Sequence, residues 1–409
     1  MSSNGRTPDR SELLSRRDLL KSAAAVVVAS ATPVVAKPGT VLAYVGTYTP
    51  NGQGIYLYQM APSTGALTLV KVFPSTINPS WLALDPTKRF LYAADEISNF
   101  NGSTTGAVTA YSINSSNGDL TPLNTVSSGG AGPAHLSVDR FGEHVLVANY
   151  GGGNVAVLPI LIDGSLGSAT DVKDDISACS PACAVGPTHA RQGPTGSFAI
   201  SGHDGPHAHM IQTDPAGRFV LVNDLGLDLT IVWQFQRSTG RLLNPVTVPS
   251  SAGAGPRHFA FHPNGTWFYS LNEEASTIAF MVYNASTGAL TPVQEISTLP
   301  AGFAGTNFTS EVTVSSDGKF VYAANRLHDT IAIFGVGGSG ELTLLAEEWT
   351  RGDYPRHFAI EPTGNFMYVC NHRADRITAF GIDGGGAKLR FTGRYTAVGS
   401  PAVIVFLMI

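Results

Sequence analysis

Two short phrases recur along this 409-residue chain, and their spacing limits its fold more than any other feature. The first is a turn followed by an alternating apolar run that ends in Asn or Asp, as in residues 85–95 and 262–272. The second is a turn whose glycine precedes a Leu-Thr-like pair, and its glycines are Gly65, Gly118, Gly164, Gly240, Gly288, Gly340 and, more weakly, Gly386. Successive glycines are 53, 46, 76, 48, 52 and 46 residues apart. Periods of roughly 40 to 50 residues with short alternating strands are typical of β-propeller blades.

Each repeat unit divides into four strands, which we call a to d. In the clearest unit they cover residues 257–261, 267–271, 278–283 and 290–295. Seven b strands are found if residues 41–47 are included, and seven a strands if residues 401–408 are included. We therefore predict an all-β fold, a seven-bladed propeller of four-stranded antiparallel blades. Its last blade takes strands b–d from the N-terminus and strand a from the C-terminus, which closes the ring and removes open sheet edges.

The first 36 residues have the pattern of an export signal. Arg16 and Arg17 precede an apolar run over residues 23–31 and a small-residue site that ends at Ala36. This run is too short to span a bilayer, which needs about 20 residues, and the paired arginines favour the twin-arginine route. We expect a periplasmic or secreted protein without membrane contact after cleavage. Residues 37–409 are expected to form the single propeller domain.

Residues 171–204 interrupt the repeat with about 25 residues more than the blade period requires. This stretch is rich in Gly, Pro and Ser, and long loops of this kind are usually functional or disordered. We expect a lid or pocket wall, with plain disorder as the alternative. The stretch contains Cys179 and Cys183, whose pairing stays open, whereas Cys370 is expected in the core.

Composition excludes several partners. Only 13% of residues are charged, the net charge is −5, and these values give no electrostatic basis for binding nucleic acid. A structural zinc site needs four ligands, and the chain has no second Cys pair beside Cys179 and Cys183. We expect a monomer that binds a small molecule, with no metal and no cofactor.

Strand direction places one end of every a strand and one end of every b strand on the same face of the ring. Most residues at these positions repeat from blade to blade, and those that break the repeat are candidates for chemistry. The column near the start of strand a reads Ser80, Ala134, His209, Arg257, Ser310 and Arg356. The column after strand b reads Glu96, Tyr150, Leu225, Glu273, Arg326 and His372. The recurring His135, His258 and His357 are expected to make a structural hydrogen bond.

Four of these residues, expected from four successive blades, suggest catalysis. Arg257 and Arg326 are suited to hold a carboxylate, a phosphate or a developing oxyanion, and His209 and Glu273 to transfer protons. The alternative is that the same arginines and Glu273 form salt bridges that tie blades together. Further candidates for substrate binding are His207, Glu311 and Arg356.

Several phrases resemble those of the seven-bladed propeller lactonase family. They begin at Gly205 (GPHAH), Gly255 (GPRHF), Asn272 (NE), Ser310 (SEV) and Ala324 (ANRLHD). The family includes propeller-type 6-phosphogluconolactonases and fungal carboxymuconate lactonising enzymes. The resemblance covers the chain after residue 40 and implies metal-free chemistry on a lactone. It places the family's proposed His, Arg, Glu and Arg on His209, Arg257, Glu273 and Arg326.

The resulting hypothesis is hydrolysis of a lactone, with His209 or Glu273 as the base and the two arginines stabilising the oxyanion. No Gly-x-Ser-x-Gly motif is present, which argues against a serine nucleophile. The export signal favours an unphosphorylated or environmental lactone over a sugar phosphate. Three alternatives remain: a carboxymuconate-type cycloisomerase, a metal-dependent lactonase using His203, His207 and His209, and a non-catalytic binding scaffold.

Overall fold

Twenty-eight strands in seven four-stranded sheets make up the fold in the computed structural model, which describes residues 39–74, 76–179 and 202–409. Neighbouring strands within each sheet are antiparallel, so each sheet is one propeller blade. The fold class predicted from the repeat is confirmed.

The strands follow the chain in order, from the N-terminal part of the last blade to the C-terminal strand that completes it. The first fourteen are β1 (Val41–Thr47), β2 (Ile55–Ala61), β3 (Ala66–Phe73), β4 (Pro79–Leu84), β5 (Phe90–Asp95), β6 (Ala107–Ile113), β7 (Leu120–Ser127), β8 (Pro133–Val138), β9 (His144–Asn149), β10 (Asn154–Pro159), β11 (Asp171–Asp174), β12 (Ala208–Thr213), β13 (Phe219–Asp224) and β14 (Leu229–Gln236). The rest are β15 (Arg241–Pro249), β16 (Pro256–Phe261), β17 (Trp267–Asn272), β18 (Thr277–Tyr283), β19 (Leu290–Ser297), β20 (Thr309–Val314), β21 (Phe320–Asn325), β22 (Thr330–Val336), β23 (Leu342–Trp349), β24 (Pro355–Ile360), β25 (Phe366–Asn371), β26 (Arg376–Asp383), β27 (Lys388–Ala397) and β28 (Pro401–Met408). Short 3₁₀ helices cover Asp175–Ala178, Arg237–Thr239, His372–Ala374 and Gly384–Gly386.

Blades 1 to 6 are successive groups of four strands, from β4–β7 to β24–β27. Blade 7 has the order β28-β1-β2-β3, so its innermost strand comes from the C-terminus. Both closing strands have the predicted bounds, and Tyr44 of β1 lies opposite Val405 of β28. The innermost strands contact one another around the ring, which they line as a central channel.

Every innermost strand contains a β-bulge at its second residue. In β16 the pairing passes from Pro256 to His258 and omits Arg257, and in β12 it passes from Ala208 to Met210 and omits His209. In β20 the irregularity extends over Ser310 and Glu311. A bulge redirects the side chain of the unpaired residue, and bulges are frequent beside active sites. Here they lie at the strand starts, on the face where the sequence predicts the site.

The recurring glycine of the second phrase has a specific structural role. A tyrosine in the second strand of one blade donates a hydrogen bond to the glycine carbonyl of the next blade. The pairs are Tyr44 to Gly118 (2.7 Å), Tyr92 to Gly164 (3.0 Å), Tyr269 to Gly340 (2.8 Å), Tyr322 to Gly386 (2.8 Å) and Tyr368 to Gly65 (2.8 Å). Gly340 has a φ of 104°, and a Cβ there would lie 2.3 Å from the Phe280 ring. A side chain at this position is therefore excluded by both backbone and space.

The structure corrects one boundary of the predicted insertion. Residues Asp171–Asp174 form β11, the outermost strand of blade 2, so the insertion begins after residue 174. Because most residues of Asp-Val-Lys-Asp are polar, a search for apolar runs does not predict this exposed edge strand. Most of the insertion, Cys183 and the predicted export signal lie outside the described residues. Cys370 is buried as predicted, with a free thiol. In the described part of the chain no helix is long and apolar enough to cross a bilayer.

Candidate active site

The four residues chosen from the repeat lie together at one end of the channel, which we call the mouth. His209 and Arg257 are the bulged second residues of β12 and β16, and Glu273 and Arg326 directly follow β17 and β21. They come from three blades rather than from four. Arg257 and Glu273 share blade 4, because β16 and β17 form one hairpin in which Pro256 pairs with Asn272.

Glu273 is shared by two guanidinium groups. Its Oε2 lies 2.9 Å from Nε of Arg257 and 2.6 Å from Nη2 of Arg326, and all three side chains are buried. Burial alone would raise the pKa of Glu273, but Arg326 and Arg257 outweigh it and the net shift is downward. Burial lowers the pKa of Arg257 to about 10. The salt bridge expected under the structural alternative is therefore present, and other features must decide whether the cluster also has a function.

The buried polar atoms at the mouth are only partly satisfied. Nε of Arg257 and Nη2 of Arg326 are ion-paired with Glu273, whereas Nε of Arg326 and Nδ1 of His209 have no hydrogen-bond partner. Their side chains are only 2%, 4% and 6% exposed. The other contacts of the arginines fix their direction, since Nη1 of Arg257 donates to the Ser310 carbonyl and Nη1 of Arg326 donates to Tyr354 Oη at 3.1 Å. Unsatisfied buried donors are costly, and their concentration here indicates a binding site.

His209 is held as a neutral imidazole. Burial, followed by the positive charge of Arg257, lowers its pKa well below the usual value. Its ring centroid lies 5.5 Å from that of Tyr150 and 5.0 Å from that of His258. The neutral imidazole has a free nitrogen that can accept a proton, and its lowered pKa makes it a weaker base than an exposed histidine.

The three further candidates also lie near the mouth but are bonded differently. Arg356 donates to Tyr48, which donates in turn to Glu96, and Nη2 of Arg356 lies 3.7 Å from Oε2 of Glu96. Nδ1 of His207 lies 2.8 Å from the Tyr150 carbonyl oxygen and its Nε2 lies 2.8 Å from Asp204 Oδ1, and both of these oxygens are acceptors. Glu311 is the third residue of β20 and lies one residue further into the channel than the bulged second residues of the other innermost strands. Its carboxyl contacts His258 and His357.

Sequence reasoning missed two tyrosines at the mouth. Tyr48 directly follows β1 and Tyr150 directly follows β9, so both stand in the same column as Glu273 and Arg326. Burial raises the pKa of Tyr150, which also responds to the charges of Glu273 and Arg257. Their position in this column could have predicted both tyrosines, but only charged residues of the column were selected as candidates.

His203 forms a separate ionic link beside the site. Its Nε2 lies 3.0 Å from Asp228 and its Nδ1 lies 3.1 Å from Glu274. Burial lowers the pKa of His203, but the hydrogen bonds to Asp228 and Glu274 outweigh it and raise the pKa to about 10. Asp228 also accepts hydrogen bonds from the Gly253 and Gly255 amides at 2.7 and 2.8 Å, which fixes the loop before Arg257.

Replacing His203 by alanine is expected to lower the free energy of unfolding by about 3 kcal/mol at pH 7, because two carboxylates lose their cation. The folded pKa is raised, so this stabilisation is complete below pH 6.5 and is lost as pH rises through about 10. Urea denaturation at several pH values measures the difference. The control His328→Ala removes a more exposed contact with Glu347 and should cost less than about 1 kcal/mol. A His203→Ala penalty that stays constant up to pH 11 would contradict this account.

The sequence places the chain in a known family. Residues 42–406 match the family described as lactonase, 7-bladed β-propeller, and the chain belongs to this family. It is 34% identical over 324 residues to a protein named 6-phosphogluconolactonase of Bacillus subtilis, covering 78% of this chain and 85% of that protein.

Solved structures agree with this family membership. The periplasmic gluconolactonase of Pseudomonas aeruginosa superimposes with a TM-score of 0.78 at 28% identity, covering 90% of this chain and 99% of the other. A putative 6-phosphogluconolactonase of Bacteroides fragilis gives the same TM-score and identity, with 90% and 98% coverage. The family resemblance inferred from the sequence phrases is confirmed.

Proposed function

We propose that this protein hydrolyses a lactone ring at the mouth, with His209, Arg257, Glu273 and Arg326 as its catalytic residues. The observation that carries this proposal is the buried pair of guanidinium groups of Arg257 and Arg326, joined by Glu273 and standing beside the free Nδ1 of His209. Membership in the lactonase family and the relatives named 6-phosphogluconolactonase and gluconolactonase support the reaction class.

The charge balance of the mouth favours a developing anion. Three guanidinium groups, those of Arg257, Arg326 and Arg356, stand against the carboxylates of Glu273 and Glu96, and burial raises the pKa of the third nearby carboxyl, Glu311, to about 8. Water attack on a lactone carbonyl creates an oxyanion, and preorganised cationic donors in a buried site stabilise such a charge strongly. A site built only to join blades would be expected to balance its charges.

The steps follow from the protonation states. Neutral His209 takes a proton from a water molecule as the water oxygen bonds to the lactone carbonyl carbon, and Arg257 and Arg326 hold the resulting oxyanion. The carbonyl then re-forms, the bond to the ring oxygen breaks, and imidazolium returns the proton to that oxygen. The product is the open hydroxy acid. Glu273, with its pKa lowered by both arginines, is ionised and holds these groups in place.

Purified protein should open members of a panel of sugar and other lactones, which can be followed by the acid released. The same panel should include muconates, with products analysed by NMR, because a cycloisomerase would form a lactone from an unsaturated diacid. Ring opening of lactones without conversion of muconates supports the proposal. Conversion of muconates alone, or no turnover of any lactone, would contradict it.

We also propose that residues 1–36 are a twin-arginine export signal and that the mature single-domain protein acts outside the cytoplasm as a monomer on a small lactone. Arg16 and Arg17 support this, as does the similarity to a protein named as a periplasmic gluconolactonase. The catalytic step itself does not depend on this location.

A further inference from the structure

The third residues of the innermost strands form a layer below the mouth, which we call the floor. It contains Trp81, His135, Met210, His258, Glu311, His357 and Val403. The rings are packed together: His258 lies 5.1 Å from Trp81 and 5.0 Å from His209 of the mouth, measured between centroids. His357 also borders a cavity of about 780 Å³ toward the other end of the channel. The floor therefore lies between this cavity and the proposed site.

A repeated hydrogen bond connects the floor from blade to blade. The third residue of one innermost strand has a side-chain atom that accepts a hydrogen bond. The donor is the backbone amide of the fourth residue in the innermost strand of the next blade. The observed bonds are Ile211 N to His135 Nδ1 (3.4 Å), Phe259 N to Met210 Sδ (3.0 Å) and Ile404 N to His357 Nδ1 (3.4 Å). In this pattern Nδ1 of each histidine is an acceptor, so each ring carries its proton on Nε2.

Glu311 breaks this pattern between blades 4 and 5. The expected bond would run from the Val312 amide to Nδ1 of His258. Instead, the Val312 amide donates to Oε1 of Glu311 at 3.0 Å, and Oε2 of Glu311 lies 3.1 Å from Nδ1 of His258. Nε2 of His258 has no hydrogen-bond partner, and with the tautomer of the other floor histidines the hydrogen bond at its Nδ1 requires a proton on Glu311.

The other neighbours of Glu311 fit a protonated carboxyl. Nε2 of His357 carries the ring proton and lies 3.4 Å from the same Oε2 of Glu311. With His357 on one side, a proton on this oxygen can be donated only toward His258. The charged or titratable side chains that face Glu311 are His258 and Arg257 from β16 and His357 from β24. Burial raises the pKa of Glu311 to about 8, although Arg257 acts in the opposite direction. Burial and Arg257 also lower the pKa of His357 to about 3, which disfavours transfer of a proton from Glu311 to this ring.

We propose that Glu311 is a positioning residue that holds a proton, donates it to Nδ1 of His258, and so leaves the charge of Arg257 available to the substrate. This inference rests on the proposed role of Arg257 in lactone hydrolysis. Loss of the proton would place a carboxylate below the guanidinium, and this negative charge would oppose the developing oxyanion. The enzyme should therefore lose activity as Glu311 ionises.

The variant Glu311→Gln tests this, because glutamine keeps the shape of the carboxyl and cannot ionise. Initial rates of lactone opening, corrected for spontaneous hydrolysis, give kcat/KM from about pH 6 to pH 9.5. For the unchanged protein we expect kcat/KM to fall up to about tenfold per pH unit above pH 8. Glu311→Gln should lose this alkaline decline, so that its kcat/KM at pH 9.5 stays within about threefold of its own value at pH 7. Glu143→Gln, an exposed residue in a turn away from the mouth, should keep the decline.

A second measurement does not depend on turnover. Infrared difference spectra between the unchanged protein and Glu311→Gln, with ¹³C-labelled glutamate, should show one protonated carboxyl at pH 7 that disappears by about pH 9.5. An ionised Glu311 at pH 7 would overturn the inference, and so would a folded Glu311→Gln with an unaltered alkaline decline. If no lactone is turned over, the proposed function fails, while the infrared result still decides the protonation of Glu311.

Discussion

Replacing Arg257 by alanine is expected to lower kcat/KM for lactone hydrolysis by about 10²- to 10³-fold, the cost of removing one oxyanion donor from a buried site. The guanidinium is 2% exposed, lies against Glu273 and is aimed by the Ser310 carbonyl, so water cannot replace it readily. Initial rates of acid release at pH 7 measure the loss. Arg257→Lys should restore little, since an ammonium group cannot reproduce the planar array of donors.

The matched control is Arg237→Ala, which removes a partly exposed arginine that pairs with Glu143 away from the mouth. It should leave kcat/KM within about twofold, because exposed salt bridges contribute little. Circular dichroism should show that both variants remain folded. If a folded Arg257→Ala keeps the full rate, the assignment of the site is wrong.

Deleting residues 401–409 is expected to abolish cooperative folding. The deletion removes β28, whose Val403, Ile404 and Leu407 are buried, and exposes the inner edge of β1. Full burial of each such side chain contributes about 2 kcal/mol, and the lost backbone pairing adds to this. The total approaches the roughly 5–15 kcal/mol that stabilises a typical folded domain.

Thermal unfolding followed by circular dichroism tests this prediction. The truncated chain should show no cooperative transition or should aggregate, because an unpaired inner strand is a template for association. Met408→Ala is the control, since this side chain is 37% exposed at the end of β28 and should have a small effect. A truncated protein that unfolds cooperatively near the temperature of the full chain would show that ring closure is unimportant.

The repeat was sufficient to predict the architecture. Strands 267–271 and 278–283 were placed within one residue of the observed β17 and β18, and both closing strands of blade 7 were placed without error. This succeeded because the alternation of apolar residues and the positive-φ glycines are local properties that each blade repeats. The edge strand β11 was missed because it is exposed and carries little apolar signal.

The site could be predicted only in part. The repeat columns predicted His209, Arg257, Glu273 and Arg326, because they are large polar residues at positions that other blades fill differently, and the structure brings these four together. The bulges that redirect His209 and Arg257 depend on the pairing register, which the residue pattern does not specify. The contact of Glu311 with His258 likewise joins residues 53 positions apart and arises only when the blades pack.

The most direct test of the proposed site is a crystal structure with a slowly hydrolysed lactone analogue, such as the corresponding lactam. The carbonyl oxygen of the analogue should lie within hydrogen-bond distance of Arg257 or Arg326, with its carbonyl carbon facing His209. An analogue bound at full occupancy in the cavity at the other end of the channel, with the mouth containing only solvent, would contradict the account.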